Sequence, residues 1–156
     1  MTADTYDSQA ANEIVERFGN RPEMLVQILL AFLDRFGWIS EQAIRQLADE
    51  LNLSRADVHG VVSFYHDLRT NPPGCHVVKI CQAEACQAMG CRELTAHAEK
   101  TLGVAMSSGN DAITLEPVYC LGNCACSPAV MVDGKPYGRV DPARFDALVA
   151  AFADGG

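Results

Sequence analysis

Four thiols set the chemistry open to this chain: Cys81 and Cys86 stand as C-x4-C, and Cys120 and Cys124 as C-x3-C. Thiolates bind soft and borderline metals, so four that converge suit zinc or an iron-sulfur cluster rather than magnesium or calcium. Structural zinc sites mostly use C-x2-C pairs, whose tight loops close on one small ion. The wider spacings here leave room for a larger unit. A 2Fe-2S cluster takes two thiolates on each iron, which gives Cys81 and Cys86 to one iron and Cys120 and Cys124 to the other. The pattern is not that of plant-type ferredoxins, because Ala88 and Met89 follow Cys86 where a further cysteine would be needed. Disulfide pairing fits less well: the seven cysteines are an odd number, and all fall in the last 82 residues. The plainer use of cysteine, as a small buried apolar side chain, suits Cys75 and Cys91 better than the paired four.

The elements that must position these thiols divide at Thr70-Asn-Pro-Pro-Gly74, where two prolines stop a helix and glycine permits a sharp turn. Before it, residues 1–70 read as a small bundle of four amphipathic helices. The first runs from Ser8 to Phe18, closed by Gly19. The second begins at Pro22 and ends at Gly37, with Leu25, Ile28, Leu29 and Phe32 at helical spacing. Ser40 caps the third, which ends at Asn52, and Ser54 with Asp57 caps the fourth, whose inward face is Val58, Val61, Val62 and Tyr65. Trp38 is expected in the core.

After the break, residues 75–156 read as β-α-β-β-β-α. The strands are placed at His76–Ile80, Ala112–Val118, Ala129–Val132 and Tyr137–Val140, the third and fourth joined by an Asp133-Gly134 turn. The helices are placed from Ala88 to Leu102, and from Pro142 with Phe145, Leu148, Val149 and Phe152 inward. A strand, crossover helix and strand of this length form a right-handed parallel unit, so both strands end at the same sheet edge. The loops holding 81/86 and 120/124 are then neighbours. Cys75 precedes the first strand and lies roughly 20 Å from Cys81, at about 3.3 Å per residue. Cys91 and Cys126 stand near enough in sequence to replace a member of the set.

Composition excludes several functions. With 12 basic and 20 acidic residues the net charge is −8, which argues against nucleic acid or an anionic membrane as partner. There is no dinucleotide, P-loop or metalloprotease motif. Met1–Asp7 is acidic and polar, unlike a secretory signal, and no apolar run approaches the ~20 residues of a membrane span. These features lead to the expectation of a soluble cytoplasmic protein.

The stretches Lys79-Ile-Cys-Gln-Ala-Glu-Ala-Cys-Gln-Ala-Met-Gly90 and Leu115-Glu-Pro-Val-Tyr-Cys-Leu-Gly-Asn-Cys-Ala-Cys-Ser-Pro-Ala129 resemble the thioredoxin-like 2Fe-2S subunit of NADH dehydrogenases. Leu53-Ser-Arg-Ala-Asp-Val-His-Gly-Val-Val-Ser-Phe-Tyr65 is similar to that family's helical N-terminal region. Within the family, the form E-A-C-Q with Y-C-L-G-x-C-A-C most resembles the gamma subunit of cytoplasmic NAD-dependent formate dehydrogenases; related subunits serve NAD-linked hydrogenases and complex I. The resemblance implies an α/β chain, a helical bundle followed by a thioredoxin-like ferredoxin domain. It also implies a 2Fe-2S cluster held by Cys81, Cys86, Cys120 and Cys124. The implied partners are a flavoprotein subunit with FMN, an NAD(H) site and its own iron-sulfur cluster, and a molybdenum or tungsten subunit that oxidises formate. The chain itself would move electrons without a substrate site. Cys75 and Cys91 depart from the family pattern, and Cys126 is expected as a buried thiol beside the ligands.

Small residues in the cysteine loops, Ala83, Ala85, Gly122, Asn123, Ala125 and Ser127, leave room for backbone N–H groups to approach sulfur. A dithiol oxidoreductase would need a C-x-x-C, which is absent. A redox-sensing helix-turn-helix protein has a matching spacing from Gln46 to Tyr65. Residues 1–74, however, carry 6 basic against 11 acidic side chains, too few cations to hold phosphates. A docking role suits the acidic bundle better. His59, His66, His76 and His97 read as solvated or capped, and Lys79, Lys135 and Arg139 as a solvated face or as contacts to a partner.

Overall fold

A computed structural model describes residues 6–153, with side chains described through residue 150. The reading of Met1–Thr5 and the inward placement of Phe152 lie outside those residues. The chain forms two compact units, Met1–Pro72 and Pro73–Gly156.

The first unit contains α1 (Ser8–Arg17), α2 (Leu25–Phe36), α3 (Glu41–Glu50) and α4 (Arg55–Phe64), with a single 3-10 turn at Pro22–Met24 leading into α2. Side chains define the helix starts. Asp7 accepts from the N–H groups of Gln9 and Ala10, Ser40 from that of Ala43, and Ser54 and Asp57 form a reciprocal capping box. Gly37 and Asn52, at φ 79° and 52°, take the left-handed conformation that ends a helix. Ile28, Leu29, Phe32, Leu47 and Val58 are wholly buried in one core, each worth about 1.5–3 kcal/mol on removal from water. Two side chains differ from expectation. Trp38 is half-buried, because the fully buried Ile39 takes the core position and its N–H donates to the Arg69 carbonyl. Tyr65 is exposed, since the helix ends at Phe64, and its ring stacks edge-on against the exposed Phe64.

The second unit is a mixed five-stranded sheet with helices. Its elements are β1 (His76–Cys81), α5 (Glu84–Ala88), α6 (Cys91–Leu102), β2 (Ser108–Gly109), β3 (Ile113–Val118), β4 (Val130–Val132), β5 (Lys135–Tyr137) and α7 (Pro142–Ala153). The strand order is β2-β3-β1-β4-β5. β1 and β3 are parallel, Cys81 opposite Val118; the other pairs are antiparallel. Leu94, Ala98 and Leu102 of α6 and Phe145 and Val149 of α7 share one core with Val78, Ile80 and Leu115.

Three boundaries move for local reasons. Gly90 at φ 89° separates α5 from α6, so the helix expected from Ala88 starts at Cys91. The two-residue turn Asp133-Gly134, both at positive φ, pairs Val132 directly with Lys135, so β5 begins two residues early. It ends at Tyr137 because the next N–H groups turn to the cysteine loop. The short edge strand β2, built of serine and glycine, lacks the β-branched signal that marks a strand in sequence.

Candidate iron-sulfur site

Cys81 is the last residue of β1, Cys86 lies in α5, and Cys120 and Cys124 follow β3. Because β1 and β3 run parallel and in register, both pairs emerge at the same sheet edge. All seven cysteines are free thiols. They influence one another two by two: Cys86 raises the pKa of Cys81, Cys120 raises that of Cys124, and Cys86 acts electrostatically on Cys124 across the pairs. Among the described residues no three His, Cys, Asp or Glu side chains converge as the coordination of one ion requires.

The two pairs differ in environment. Cys81 and Cys86 are buried with Ala129, whereas Cys120 and Cys124 are exposed. Burial pushes the Cys81 thiol above its ordinary pKa; the backbone N–H groups of Ala83 and Leu121 oppose that, and Cys86 raises it further. The Cys124 thiol is raised by its hydrogen bond to Cys120 and by that neighbour's charge. The Gly122 N–H donates to Cys120 Sγ at 3.3 Å. Cys120 itself holds φ at 153°, and Gly122 is at +71°, backbone states that are uncommon for L-residues and common for glycine. Donors aimed at the sulfurs thus come from Ala83 and Gly122, as the small residues suggest, and also from Leu121, whose side chain gives no such signal.

Residues outside the four complete the setting. Cys91 is fully buried at the start of α6, its thiol 3.8 Å from Gln82 Oε1. Burial and the neighbouring Cys86 raise its pKa. Cys75 is exposed at the opposite end of β1 from Cys81. Cys126 is half-exposed rather than buried, because the loop 124–126 forms a 3-10 turn along the surface. A brace that the sequence did not disclose holds this turn. The Arg139 N–H donates to the Cys126 carbonyl at 2.6 Å and that of Val140 to Pro128 at 3.0 Å. Gly138 lies so near that an added Cβ would sit 2.6 Å from Cys126 Cβ. Ser127, buried before a cis peptide to Pro128, accepts from Cys86 Sγ at 3.6 Å and donates to the Cys124 carbonyl at 2.7 Å. His76 and His97 face Asp133 and Asp146 at 2.8 and 2.6 Å, away from the thiols. Lys79 lies 3.6 Å from Glu116 on the adjacent strand.

Comparison with known proteins decides the family. The profile of the family described as thioredoxin-like [2Fe-2S] ferredoxin matches residues 11–153. The chain belongs to the thioredoxin-like 2Fe-2S ferredoxin family. Its cofactor is a 2Fe-2S cluster, and two cysteine pairs at one sheet edge, with the Gly122 N–H on Cys120 Sγ, fit that group. An NADH-quinone oxidoreductase subunit of Pseudomonas aeruginosa is 32% identical over 118 residues, 74% of this chain and 71% of that protein. The like-named subunit of Buchnera aphidicola is 31% identical over 129 residues, 81% of this chain and 75% of that one. A crystal structure of an air-oxidized NAD+-reducing [NiFe]-hydrogenase superposes with a TM-score of 0.71 over 85% of this chain at 21% identity, a likeness of fold. This thioredoxin-like ferredoxin spans 23% of that hydrogenase chain.

Proposed function

We propose that this chain is the electron-transfer subunit of an NAD-linked oxidoreductase complex, in which Cys81, Cys86, Cys120 and Cys124 hold the 2Fe-2S cluster. The observation that carries this reading is the parallel, in-register pairing of β1 and β3, which brings both cysteine pairs out at one sheet edge. When bound, the cluster takes up and returns one electron at a time. The protein's part is to surrender the thiol protons as metal binds, to fix the sulfurs by the backbone donors of Ala83, Leu121 and Gly122, and to bury one pair while the other faces outward. The exposed Cys120 and Cys124 then mark the side from which a redox partner approaches. That partner is a flavoprotein subunit with FMN, an NAD(H) site and its own iron-sulfur cluster, and the chain has no substrate site of its own.

The relatives' names bear on the parent complex. The NADH-quinone oxidoreductase subunits and the NAD+-reducing hydrogenase support a complex of those kinds. They do so ahead of the cytoplasmic formate dehydrogenase with a molybdenum or tungsten subunit, which rests on the motif form around Cys86 and Cys126 alone. No helix among the described residues is long and apolar enough to cross a membrane. The proposed location is the cytoplasm, where thiols stay reduced until they bind metal.

The test is anaerobic purification with iron, sulfide and zinc quantified and EPR spectra recorded before and after dithionite. About two irons and two sulfides per chain, with a signal on reduction, are expected of this cofactor. A colourless protein holding zinc would defeat the proposal. Proteins that co-purify with the tagged chain from its host identify the parent complex through the activity they carry.

A further inference from the structure

Ser127 is a buried hydroxyl placed between the two cysteine pairs, and it does not belong to the set of ligands. Its oxygen lies 3.6 Å from Cys86 Sγ and 2.7 Å from the Cys124 carbonyl oxygen. With thiols protonated, Cys86 donates to Ser127 and Ser127 donates to the carbonyl. A cysteine bound to iron carries no thiol proton, so the hydroxyl proton is then the one available between Ser127 Oγ and Cys86 Sγ. Two acceptors compete for it, and an anionic sulfur is the stronger. The carbonyl is not left without a donor, since the Ser127 backbone N–H reaches it at 3.3 Å. The reversal therefore strands no buried group.

Resting on the ligand set proposed above, we propose that Ser127 tunes the cluster by donating its hydroxyl proton to Cys86 Sγ. The donor's partial positive charge faces a sulfur that becomes more negative when the cluster gains an electron, so it stabilises the reduced form and raises the potential. The site suits such an effect because Cys86 is buried at 2% exposure and Ser127 at 8%, where water screens the interaction little. Ser127 is a positioning residue for the electron's energy; it binds neither iron nor partner.

The experiment is an EPR-monitored redox titration of the whole chain and of Ser127→Ala, Ser127→Gly and Ser127→Thr, with iron and sulfide counted in each. The alanine and glycine variants are expected to keep a full cluster and to titrate at a lower potential, and the threonine variant, which retains the hydroxyl, to stay close to the parent. Alanine or glycine variants with a full cluster and the parent's potential would overturn the proposal. Loss of the cluster from both, with threonine intact, would assign Ser127 to holding the loop and overturn it equally. A parent chain without a cluster would instead defeat the ligand reading on which the proposal rests.

Discussion

Cys91 and Cys75 show two ways in which a cysteine can stand outside the proposed ligand set. Cys91 is fully buried in one cluster of side chains with Cys86, yet its thiol faces Gln82 and its backbone opens α6, so it acts as packing. Cys91→Ala is expected to retain the cluster's absorbance and to cost about 1 kcal/mol of stability from the lost packing, read by chemical denaturation. Cys75 lies at the far end of β1, and Cys75→Ser should leave the visible spectrum and iron content as they are. Cys81→Ser and Cys124→Ser remove one thiol from each pair and should abolish the cluster or strongly change its EPR signal. An unaltered cluster in either variant would refute the ligand set. That the two cysteine pairs share one sheet edge was legible from the order of elements, and the four remain the proposed ligands. The Ser127 hydroxyl was legible only as a small loop residue, since its value depends on a sulfur 41 residues away.

At the scale of elements, the site is held by a segment with no chemistry of its own. Residues 138–140 donate two hydrogen bonds to the cysteine loop, and Gly138 approaches Asn123 and Cys126 too closely for a side chain. Gly138→Ala should displace the loop and lower cluster occupancy, measured as iron per chain. Gly134→Ala, at φ +80° with open space around it, should cost only about 1 kcal/mol of backbone strain and keep the cluster. The capping box of α4 gives a pH-dependent counterpart. Hydrogen bonds from the Ser54 hydroxyl and N–H hold the Asp57 carboxyl below its ordinary pKa. Its folded pKa being depressed, it contributes stability above its unfolded value, near 3.9, and loses it as pH falls through the folded value. The wild type should melt above Asp57→Asn at pH 7, and the gap should close in acid. Caps such as Ser40 and Ser54, and the β-α-β order that brings both cysteine loops to one edge, could be read from sequence because they rest on local propensity and chain handedness. The brace at Gly138 could not, because its partners lie back in the cysteine loop, and β2 could not, because serine and glycine carry no strand signal.

At the scale of the whole molecule, each unit carries a separate hydrophobic core, one centred on Phe32 and Leu47 and the other on Ile80, Leu115 and Phe145. The four proposed ligands, their backbone donors, Ser127 and the Gly138 brace all belong to Pro73–Gly156. The proposed site thus draws its named residues from one unit. The helical unit is acidic, with 6 basic against 11 acidic side chains in residues 1–74, and its helices close their own core; its proposed role is to bind another subunit. A chain lacking residues 1–70 is expected to keep the iron, sulfide and EPR signal of the full chain and to bind the flavoprotein subunit more weakly, as measured by co-purification at increasing salt. Partner affinity unchanged by the deletion would move docking to the cluster-bearing unit, where Tyr119 and Met89, 69% and 61% exposed, flank the cysteine loops in sequence. An advantage of the full chain over the shortened one that shrinks as salt rises would show that charge, which is screened beyond about 10 Å at 0.1 M salt, supplies much of the bundle's attraction.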